Sequence, residues 1–195
     1  MSREEEQVWL EAARQGDKAA FGRLIEAYQG PVYNLAYRML GNRGEAEEAA
    51  QEAFIRAFTK LDSYDPRRKF STWMLSITSN YCIDLLRKRR ALLLSLDQPL
   101  PPHPALMSDR ADGPEAQAVD SEREEMVQSL LETLPEDYRQ AVVLFYWYDL
   151  SYQEIAEVMD TTVSAIKSRL FRARRQLAEA GVEQGIVGTL QPETD

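Results

Sequence analysis

The chain has 195 residues, 44% of them hydrophobic and 28% charged, and its 32 acidic and 23 basic side chains give a formal net charge of −9. The apolar fraction excludes a disordered chain, and no stretch reaches the roughly 20 uncharged apolar residues that a membrane-spanning helix needs. The acidic total by itself argues against a nucleic-acid partner, so the distribution of charge along the chain has to be considered.

The chain contains one cysteine, Cys82, and one histidine, His103. A disulfide within the chain is therefore excluded, and a His/Cys zinc site or a histidine-dependent catalytic triad is nearly excluded. The first residues lack the basic flank and apolar core of a signal peptide. These features predict a cytoplasmic protein that needs no metal ion or other cofactor.

Residues 1–90 show the three- and four-residue apolar spacing of amphipathic helices, without the alternation that is typical of strands. Asp17 is suited to cap one helix, Pro31 to open the next and Gly41 to end it. The expected helices run from Glu4 to Ala13, from Asp17 to Tyr28, from Pro31 to Met39, from about Glu45 to Lys60, and from Ser71 or Thr72 into the basic run 87–90. Short connections between them favour a helical bundle as the first domain, residues 1–90.

Residues 91–120 contain five of the nine prolines, together with Gly113 and five acidic side chains. A helix interior or a central strand does not tolerate prolines at this density, because each lacks an amide donor and restricts the residue before it. The composition predicts an extended acidic linker between two domains.

Residues 121–180 predict a second, smaller helical domain. An apolar stripe from Met126 to Leu131 marks its first helix, and Pro135 is placed to open the next. Residues 181–195 carry three acids and no base, which favours a disordered tail. The predicted fold is therefore all-α, with two small helical domains joined by a proline-rich linker.

The second domain also shows the pattern of a helix-turn-helix. Ser151 and Glu154 match a capping box, which opens a short helix. A break at residues 160–162 precedes a last helix, striped by Val163, Ile166, Leu170, Ala173 and Leu177. Two helices joined by a tight turn, the second of them amphipathic, are typical of this DNA-binding motif.

The charge is unevenly distributed along the chain. Residues 1–90 carry 15 basic and 13 acidic side chains, whereas residues 91–120 carry 1 and 5. Residues 161–178 contain five basic and no acidic side chains. The acidic total therefore does not exclude DNA binding by part of the chain.

The last helix directs its cations away from its apolar stripe, at 100° per residue. Lysine and arginine can reach guanine acceptors in the major groove, serine a base edge or phosphate, and phenylalanine a thymine methyl, while hydroxyls at the helix start suit a phosphate. The candidate DNA-contacting residues are Thr162, Ser164, Lys167, Ser168, Phe171, Arg172 and Arg175. The alternative is an ordinary solvent-facing basic helix.

Several segments resemble a known family. Residues 134–141 (LPEDYRQA), 150–157 (LSYQEIAE) and 166–174 (IKSRLFRAR) resemble the promoter-reading fourth region of extracytoplasmic-function sigma factors, the smallest members of the sigma-70 family. Residues 44–54 (GEAEEAAQEAF) resemble their second region, in the helix that docks on the polymerase clamp. The resemblance covers nearly the whole chain, from about Asp17 to Ala178.

The resemblance implies a transcription initiation factor that is not itself an enzyme. Such a factor binds core RNA polymerase at its clamp coiled coil and its flap, directs it to the −35 and −10 elements of promoter DNA, and assists melting of the duplex. Residues 1–90 would then be region 2, which reads the −10 element, and residues 121–180 region 4, which reads the −35 element. An inhibitory anti-sigma factor is a further implied partner.

The resemblance also implies site residues in the first domain. The implied polymerase-binding residues are Glu45, Glu47, Glu48, Gln51 and Glu52. The residues implied to contact the −10 element, in part as an unpaired strand, are Arg67, Arg68, Lys69, Ser71, Thr72, Trp73, Asn80, Arg87, Arg89 and Arg90. Cations interleaved with aromatic rings suit single-stranded DNA on physical grounds too. A solvated acidic face remains the alternative for the first set, and core packing remains the alternative for Trp73.

Two other classes of function remain open from the residues alone. A conventional helix-turn-helix regulator would bind operator DNA tightly without polymerase, whereas a sigma factor would bind weakly until it joins core polymerase. An all-helical adaptor or enzyme is the other class. It is poorly supported, because the chain has no glycine-rich phosphate loop, nucleophile elbow or metal-ligand spacing.

Overall fold

A computed structural model of the chain describes residues 2–95 and 115–183, with side chains described from 2 to 92 and from 123 to 182. The chain divides into two units between residues 97 and 98. All regular elements of the described residues are helical, which confirms the predicted all-α class. The first unit holds α1 (Arg3–Arg14), α2 (Lys18–Leu40), α3 (Arg43–Thr59), a 3-10 helix (Leu61–Ser63) and α4 (Phe70–Ser95). The second holds α5 (Glu115–Glu132), α6 (Glu136–Tyr146), α7 (Tyr152–Val158) and α8 (Val163–Glu183).

Helices α1, α2 and α3 begin at the polar caps Ser2, Asp17 and Asn42. The Asp17 carboxylate accepts hydrogen bonds from the amides of Ala19 and Ala20, at 2.8 and 3.1 Å, as expected of a capping residue. Asn42 caps α3 in the same way. Gly41 ends α2 with a φ of 74°, a left-handed conformation that glycine adopts without strain.

The expectation that Pro31 opens a separate helix is wrong, because α2 continues through it. A proline inside a helix removes one hydrogen bond and costs about 3 kcal/mol. Burial on both sides of the proline offsets that cost: Leu24 before it, and Val32 and Leu35 after it, are fully buried. Each such side chain contributes about 1.5–3 kcal/mol, so a single helix that packs along its whole length is favoured.

The core of the first unit ends in an aromatic cluster around Phe70. Phe70 is almost fully buried, and its ring packs edge-on against Tyr28 and Tyr64, with centroids 5.3 and 5.5 Å apart. Trp73 leans on the same cluster, 5.6 Å from Phe70. Helix α4 begins at Phe70, one or two residues before the predicted start at Ser71 or Thr72, and Phe70 is already part of the core.

Both ends of the predicted 91–120 linker are helical. Helix α4 continues to Ser95 and α5 begins at Glu115, since residues 91–95 and 115–120 contain no proline and consist mostly of good helix formers. Its prolines, at 99, 101, 102, 104 and 114, lie outside the described residues. Helix α8 likewise passes the predicted end at 180 to reach Glu183, because Gly181 is buried on it; residues 184–195 lie outside the described residues.

In the second unit the predicted helix-turn-helix is present. Ser151 and Glu154 form the predicted capping box at the start of α7, and Pro135 precedes α6 as expected. The turn to α8 passes through Asp160, whose φ is 46°, and the Thr161 amide donates back to the Ala156 carbonyl at 2.9 Å. The α8 stripe packs inward, with Ile166, Leu170 and Ala173 buried.

A buried arginine joins α5 to α6. Arg139 is 7% exposed, and its guanidinium donates to the carbonyl oxygens of Glu132 and Leu134, at 3.1 and 3.5 Å. The first carbonyl belongs to the last residue of α5, where no further helical turn supplies a donor, and the second belongs to the connection to α6. Arg139 therefore fixes the geometry with which α6 leaves α5.

We expect Arg139→Ala to lower the free energy of unfolding of the second unit by about 2–3 kcal/mol, because it leaves buried carbonyls without their donor and opens a cavity. Hydrogen exchange of the full chain measures this, with the α6 amides exchanging roughly 30-fold faster or more. Arg123→Ala, at an exposed position of α5, is the matched control and should change little. Unchanged α6 protection in Arg139→Ala would contradict this role.

Candidate functional site

The outer face of α8 is exposed as predicted. Lys167, Ser168, Arg172 and Arg175 are exposed, and Phe171 keeps 68% of its surface accessible to solvent. An exposed phenylalanine among cations gains nothing from folding, since its apolar surface stays in water. DNA contact by these side chains stays a prediction, but the face it requires is present.

Helix α6 holds three arginines of α8 in place, which sequence reasoning missed. Arg169 pairs with Asp137 at 3.4 Å, Arg172 donates to the Tyr138 hydroxyl at 3.4 Å, and Arg174 donates to the Tyr146 hydroxyl at 2.9 Å. These contacts with tyrosine raise the pKa of Arg172 and Arg174 above the usual range, and both stay charged. The segment LPEDYRQA quoted above already contained two of the three partners.

A row of aromatic rings supports the cations of the same face. Phe145 and Tyr152 stack with centroids 5.3 Å apart, and Tyr146 meets Phe145 edge-on at 5.0 Å. The Lys167 ammonium lies 5.9 Å from the Tyr152 ring centroid, and the Arg174 guanidinium lies 6.0 Å from that of Phe145. The rings limit where these cations can lie, at a gain of about 0.5–1 kcal/mol for exposed pairs.

The hydroxyl residues at the start of α8 differ in their roles. The Thr162 side-chain oxygen accepts from the Ala165 amide at 3.2 Å, so it caps the helix. Ser164 is exposed in the first turn. Both remain where a DNA phosphate could approach the helix start.

In the loop before α4, one predicted cation is already paired. Arg67 forms a two-pronged ion pair with Asp65, with a shortest distance of 2.8 Å. These hydrogen bonds lower the pKa of Asp65 to about 2, so the pair stays ionised at neutral pH. Arg68 and Lys69 are exposed. The loop is also fixed to the core, because the hydroxyl of the buried Tyr64 donates a hydrogen bond to the Arg68 carbonyl at 2.6 Å.

The start of α4 is less accessible than predicted. Ser71, Thr72 and Trp73 are all half-buried, and Trp73 packs on Tyr64 at 5.2 Å between ring centroids. This position favours the core alternative for much of the Trp73 ring. Asn80, two turns later, is exposed.

At the end of α4 the basic run divides. Arg87, Lys88 and Arg90 are exposed, whereas Arg89 is half-buried and pairs with Glu45 of α3. Arg89 and Glu45 were assigned to different partners, DNA and polymerase. The structure brings them together, so each neutralises the other.

The acidic face of α3 is smaller than predicted and continues into an apolar area. Glu47, Glu48 and Gln51 are exposed, whereas Glu52 is half-buried and pairs with Arg56 at 2.7 Å. Arg56 in turn lies over the Tyr81 ring, 4.3 Å from its centroid, which joins α3 to α4. The predicted acidic side chains thus fall into an exposed group and a paired group.

Two large apolar side chains of α3 remain accessible. Ile55 keeps 61% of its surface exposed and Phe58 keeps 43%, although the Phe58 ring also touches Phe21. The spacing of Phe58 along α3 favours burial, whereas Ile55 lies one turn after Gln51, outside the buried stripe of alanines at 46, 50, 53 and 57. Acids followed by exposed apolar residues form a surface that suits a protein partner.

Within residues 2–95 and 115–183, no group of His, Cys, Asp or Glu is arranged to hold a metal ion. None of the described helices combines the length and the apolar character that crossing a bilayer requires.

Comparison with known proteins identifies both units. A family model described as Sigma-70 region 2 matches residues 24–92, and one described as Sigma-70, region 4 matches residues 124–177. The chain is 38% identical over 172 residues to the ECF RNA polymerase sigma factor SigW of Bacillus subtilis, covering 86% of this chain and 92% of that protein. It is 34% identical over 176 residues to the ECF RNA polymerase sigma-E factor of Escherichia coli, covering 88% of this chain and 92% of that protein.

A solved structure shares the architecture. CnrH in complex with the cytosolic domain of CnrY superposes with a TM-score of 0.65 at 26% identity, over 92% of this chain and 98% of that one. The region 2 match includes the acidic face of α3, and the region 4 match includes most of α8. The chain therefore belongs to the sigma-70 family, in its extracytoplasmic-function group.

Proposed function

We propose that this sigma factor performs its role through surfaces on two units: the exposed face of α3 binds core RNA polymerase, and the basic faces of α4 and α8 bind promoter DNA. A sigma factor directs RNA polymerase to promoters. The observation that carries the assignment is the separation of charge: exposed acids of α3 lie in one unit, and exposed cations of α8, in a segment without acids from 161 to 178, lie in the other.

The polymerase surface is best defined by Glu47, Glu48, Gln51 and Ile55. Their charges and apolar surface are exposed, whereas Glu45 and Glu52 are engaged by arginines of their own unit. Exposed acids steer association with a basic partner and fix its orientation, and an apolar anchor such as Ile55 supplies affinity. We therefore expect substitution of Glu47, Glu48 or Gln51 to weaken polymerase binding more than substitution of Glu45 or Glu52.

The −35 surface is the α8 face of Lys167, Ser168, Phe171, Arg172 and Arg175, together with Thr162 and Ser164 at the helix start. A recognition helix reads bases with a few side chains and fixes its register with phosphate contacts. Lys167 and Arg172 are held by Tyr152 and Tyr138. Such support favours them as the base-reading residues, since a positioned side chain loses less entropy on binding.

The −10 surface combines the loop before α4 with the exposed side of that helix. Arg68, Lys69 and Asn80 are accessible to an unpaired strand, and Arg87 and Arg90 to duplex phosphates. Ser71, Thr72 and Trp73 would contribute through their exposed edges. Arg67 and Arg89 serve mainly their own unit, because they are paired with Asp65 and Glu45.

The remaining proposals concern the setting of the protein. It would act in the cytoplasm, as a factor and not as a catalyst, and it would contact the polymerase flap through its second unit. An anti-sigma factor is a further proposed partner. CnrH, which shares the architecture of this chain, was solved in complex with the cytosolic domain of CnrY, and this supports binding of a further protein partner.

Charge reversal on α3 tests the polymerase surface. We expect Glu48→Lys to weaken binding to core polymerase about tenfold or more, because it places like charges against a basic partner. Glu26→Lys, at an exposed position of α2, is the matched control. A fluorescence titration of labelled protein with core polymerase measures both; equal affinities for Glu48→Lys and wild type would refute the surface.

Substitution on α8 tests base reading. We expect Lys167→Ala to reduce discrimination at one base pair of the −35 element by about 1–3 kcal/mol, while Arg175→Ala weakens all sequences alike. The measurement is anisotropy of holoenzyme bound to duplexes that differ singly in the −35 element. A uniform loss in Lys167→Ala would assign this residue to phosphate contact instead.

Arg87 and Arg89 of α4 differ in exposure, so substitution of each separates phosphate contact at the exposed surface from the half-buried pair with Glu45. We expect Arg87→Ser to weaken binding of the holoenzyme to promoter duplexes of every sequence. The dependence of log K on log salt should become shallower by about 0.9, the value for one phosphate contact. Arg89→Ser should mainly lower stability, by up to about 1 kcal/mol, and the exchange Glu45→Arg with Arg89→Glu should restore it. Salt titrations and thermal melts measure the two effects. The opposite pattern would show Arg89 to be the DNA contact.

A further inference from the structure

Helix α1 and the loop before α4 enclose a groove of about 580 Å³. Its floor includes Tyr28 and Tyr64, and its rims are α1 on one side and residues 66–71 on the other. Helix α1 precedes residue 24, where the region 2 match begins. The comparisons therefore assign no role to this side of the groove.

Cations line both rims of the groove. Arg3 and Arg14 lie on α1, and Arg68 and Lys69 lie on the loop. All four are exposed, and Arg3, Arg14 and Arg68 form no ion pair within the described residues. The cations of α1 also act on the floor: burial and the charges of Glu6 and Asp65 raise the pKa of Tyr64, and the charges of Arg3 and Arg14 oppose this rise.

The two acids of the groove are already engaged. The Glu6 carboxylate accepts a hydrogen bond from the Tyr28 hydroxyl, which anchors α1 on α2, and the Glu11 carboxylate accepts one from the side-chain Nε2 of Gln15 at 3.1 Å. Within the described residues Arg3, Arg14 and Arg68 face one concave surface without an ion-pair partner, and the lining holds four cations against two carboxylates. Such an arrangement attracts an anion of extended shape, because its charges lie on two opposite rims.

The floor offers little ring surface to a nucleobase. Tyr64 is 5% exposed, and both tyrosine rings pack edge-on against Phe70. Base stacking needs an accessible ring face, whereas phosphate contact needs only positioned cations. The groove therefore suits the backbone of a nucleic acid more than its bases.

We propose that this groove holds the sugar-phosphate backbone of the unpaired promoter strand, next to the segment that the loop before α4 contacts. This inference rests on the proposed function, in which Arg68 and Lys69 meet that strand. It adds Arg3 and Arg14 of α1 as phosphate-binding residues. Contact with phosphates alone makes the contribution independent of the base sequence.

The test compares forked and fully paired promoter DNA. The probes are a fluorescein-labelled fork whose non-template strand is unpaired across the −10 element and the matching duplex, each bound by holoenzyme. We expect the double substitution Arg3→Ser with Arg14→Ser to lower the affinity of the holoenzyme for the fork about tenfold and its affinity for the duplex by less than twofold. The salt slope for the fork should fall by about 1.4, at about 0.7 for each phosphate on a single strand.

The control removes two positive charges elsewhere on the same unit. Lys18→Ser with Lys60→Ser alters exposed positions that do not line the groove, and it should leave binding of the fork unchanged. Thermal melting shows whether each variant is folded. With a fork whose unpaired bases are scrambled, the arginine substitutions should lower the affinity by the same factor.

The outcomes distinguish failure of the groove proposal from failure of the proposed function. If wild-type holoenzyme shows no preference for the promoter fork over an unrelated fork, the proposed function fails and the groove proposal fails with it. If that preference is present and the Arg3→Ser, Arg14→Ser variant keeps its affinity, only the groove proposal fails. The groove proposal also fails if the substitutions lower the affinity for fork and duplex equally, because such a loss reflects the lower positive charge of the whole protein.

Discussion

Burial of one side of α3 and of α8 decides which charges each helix presents. In α8 the stripe of Ile166, Leu170 and Ala173 packs inward, and the exposed cations can only point outward. In α3 the buried alanines at 46, 49, 50, 53 and 57 do the same for the exposed acids and for Ile55. Small alanines let α3 approach its neighbours closely, so its outer face is held rigidly. The same packing that stabilises each unit therefore orients its proposed binding surface.

Internal pairing then selects among the charges that the fold exposes. Arg67, Arg89 and Arg169 are held by Asp65, Glu45 and Asp137. Paired side chains cost more to redirect toward a ligand, because the partner left behind loses its hydrogen bonds. The surfaces available to DNA and polymerase are consequently narrower than the full set of cations and acids. The distribution of charge agrees with the proposed DNA-binding face of α8, because residues 161–178 contain no acidic side chain although the whole chain is acidic.

Sequence patterns predicted the parts of this structure that depend on local chemistry. The Asp17 cap, the capping box at Ser151 and the outward direction of the α8 cations all follow from short-range geometry. The predictions that were wrong concern features that depend on tertiary contacts. Helix α2 passes through Pro31 because both halves of the helix are buried in one core. Phe58 stays partly exposed although its spacing favours burial. The Glu45–Arg89 pair joins residues 44 positions apart, and no periodicity reports such a contact. The groove beside α1 likewise brings together segments that are distant in the sequence.

The central claim is that the two units act together only as part of RNA polymerase. Run-off transcription from genomic promoters tests it most directly, with core polymerase alone, with core polymerase plus the full chain, and with the free chain in a parallel DNA-binding assay. The account predicts promoter-specific transcripts only when both components are present, and weak binding of promoter DNA by the free chain. Absence of any promoter-dependent transcript from a core that is active with another sigma factor would contradict it, as would tight, sequence-specific binding by the free chain.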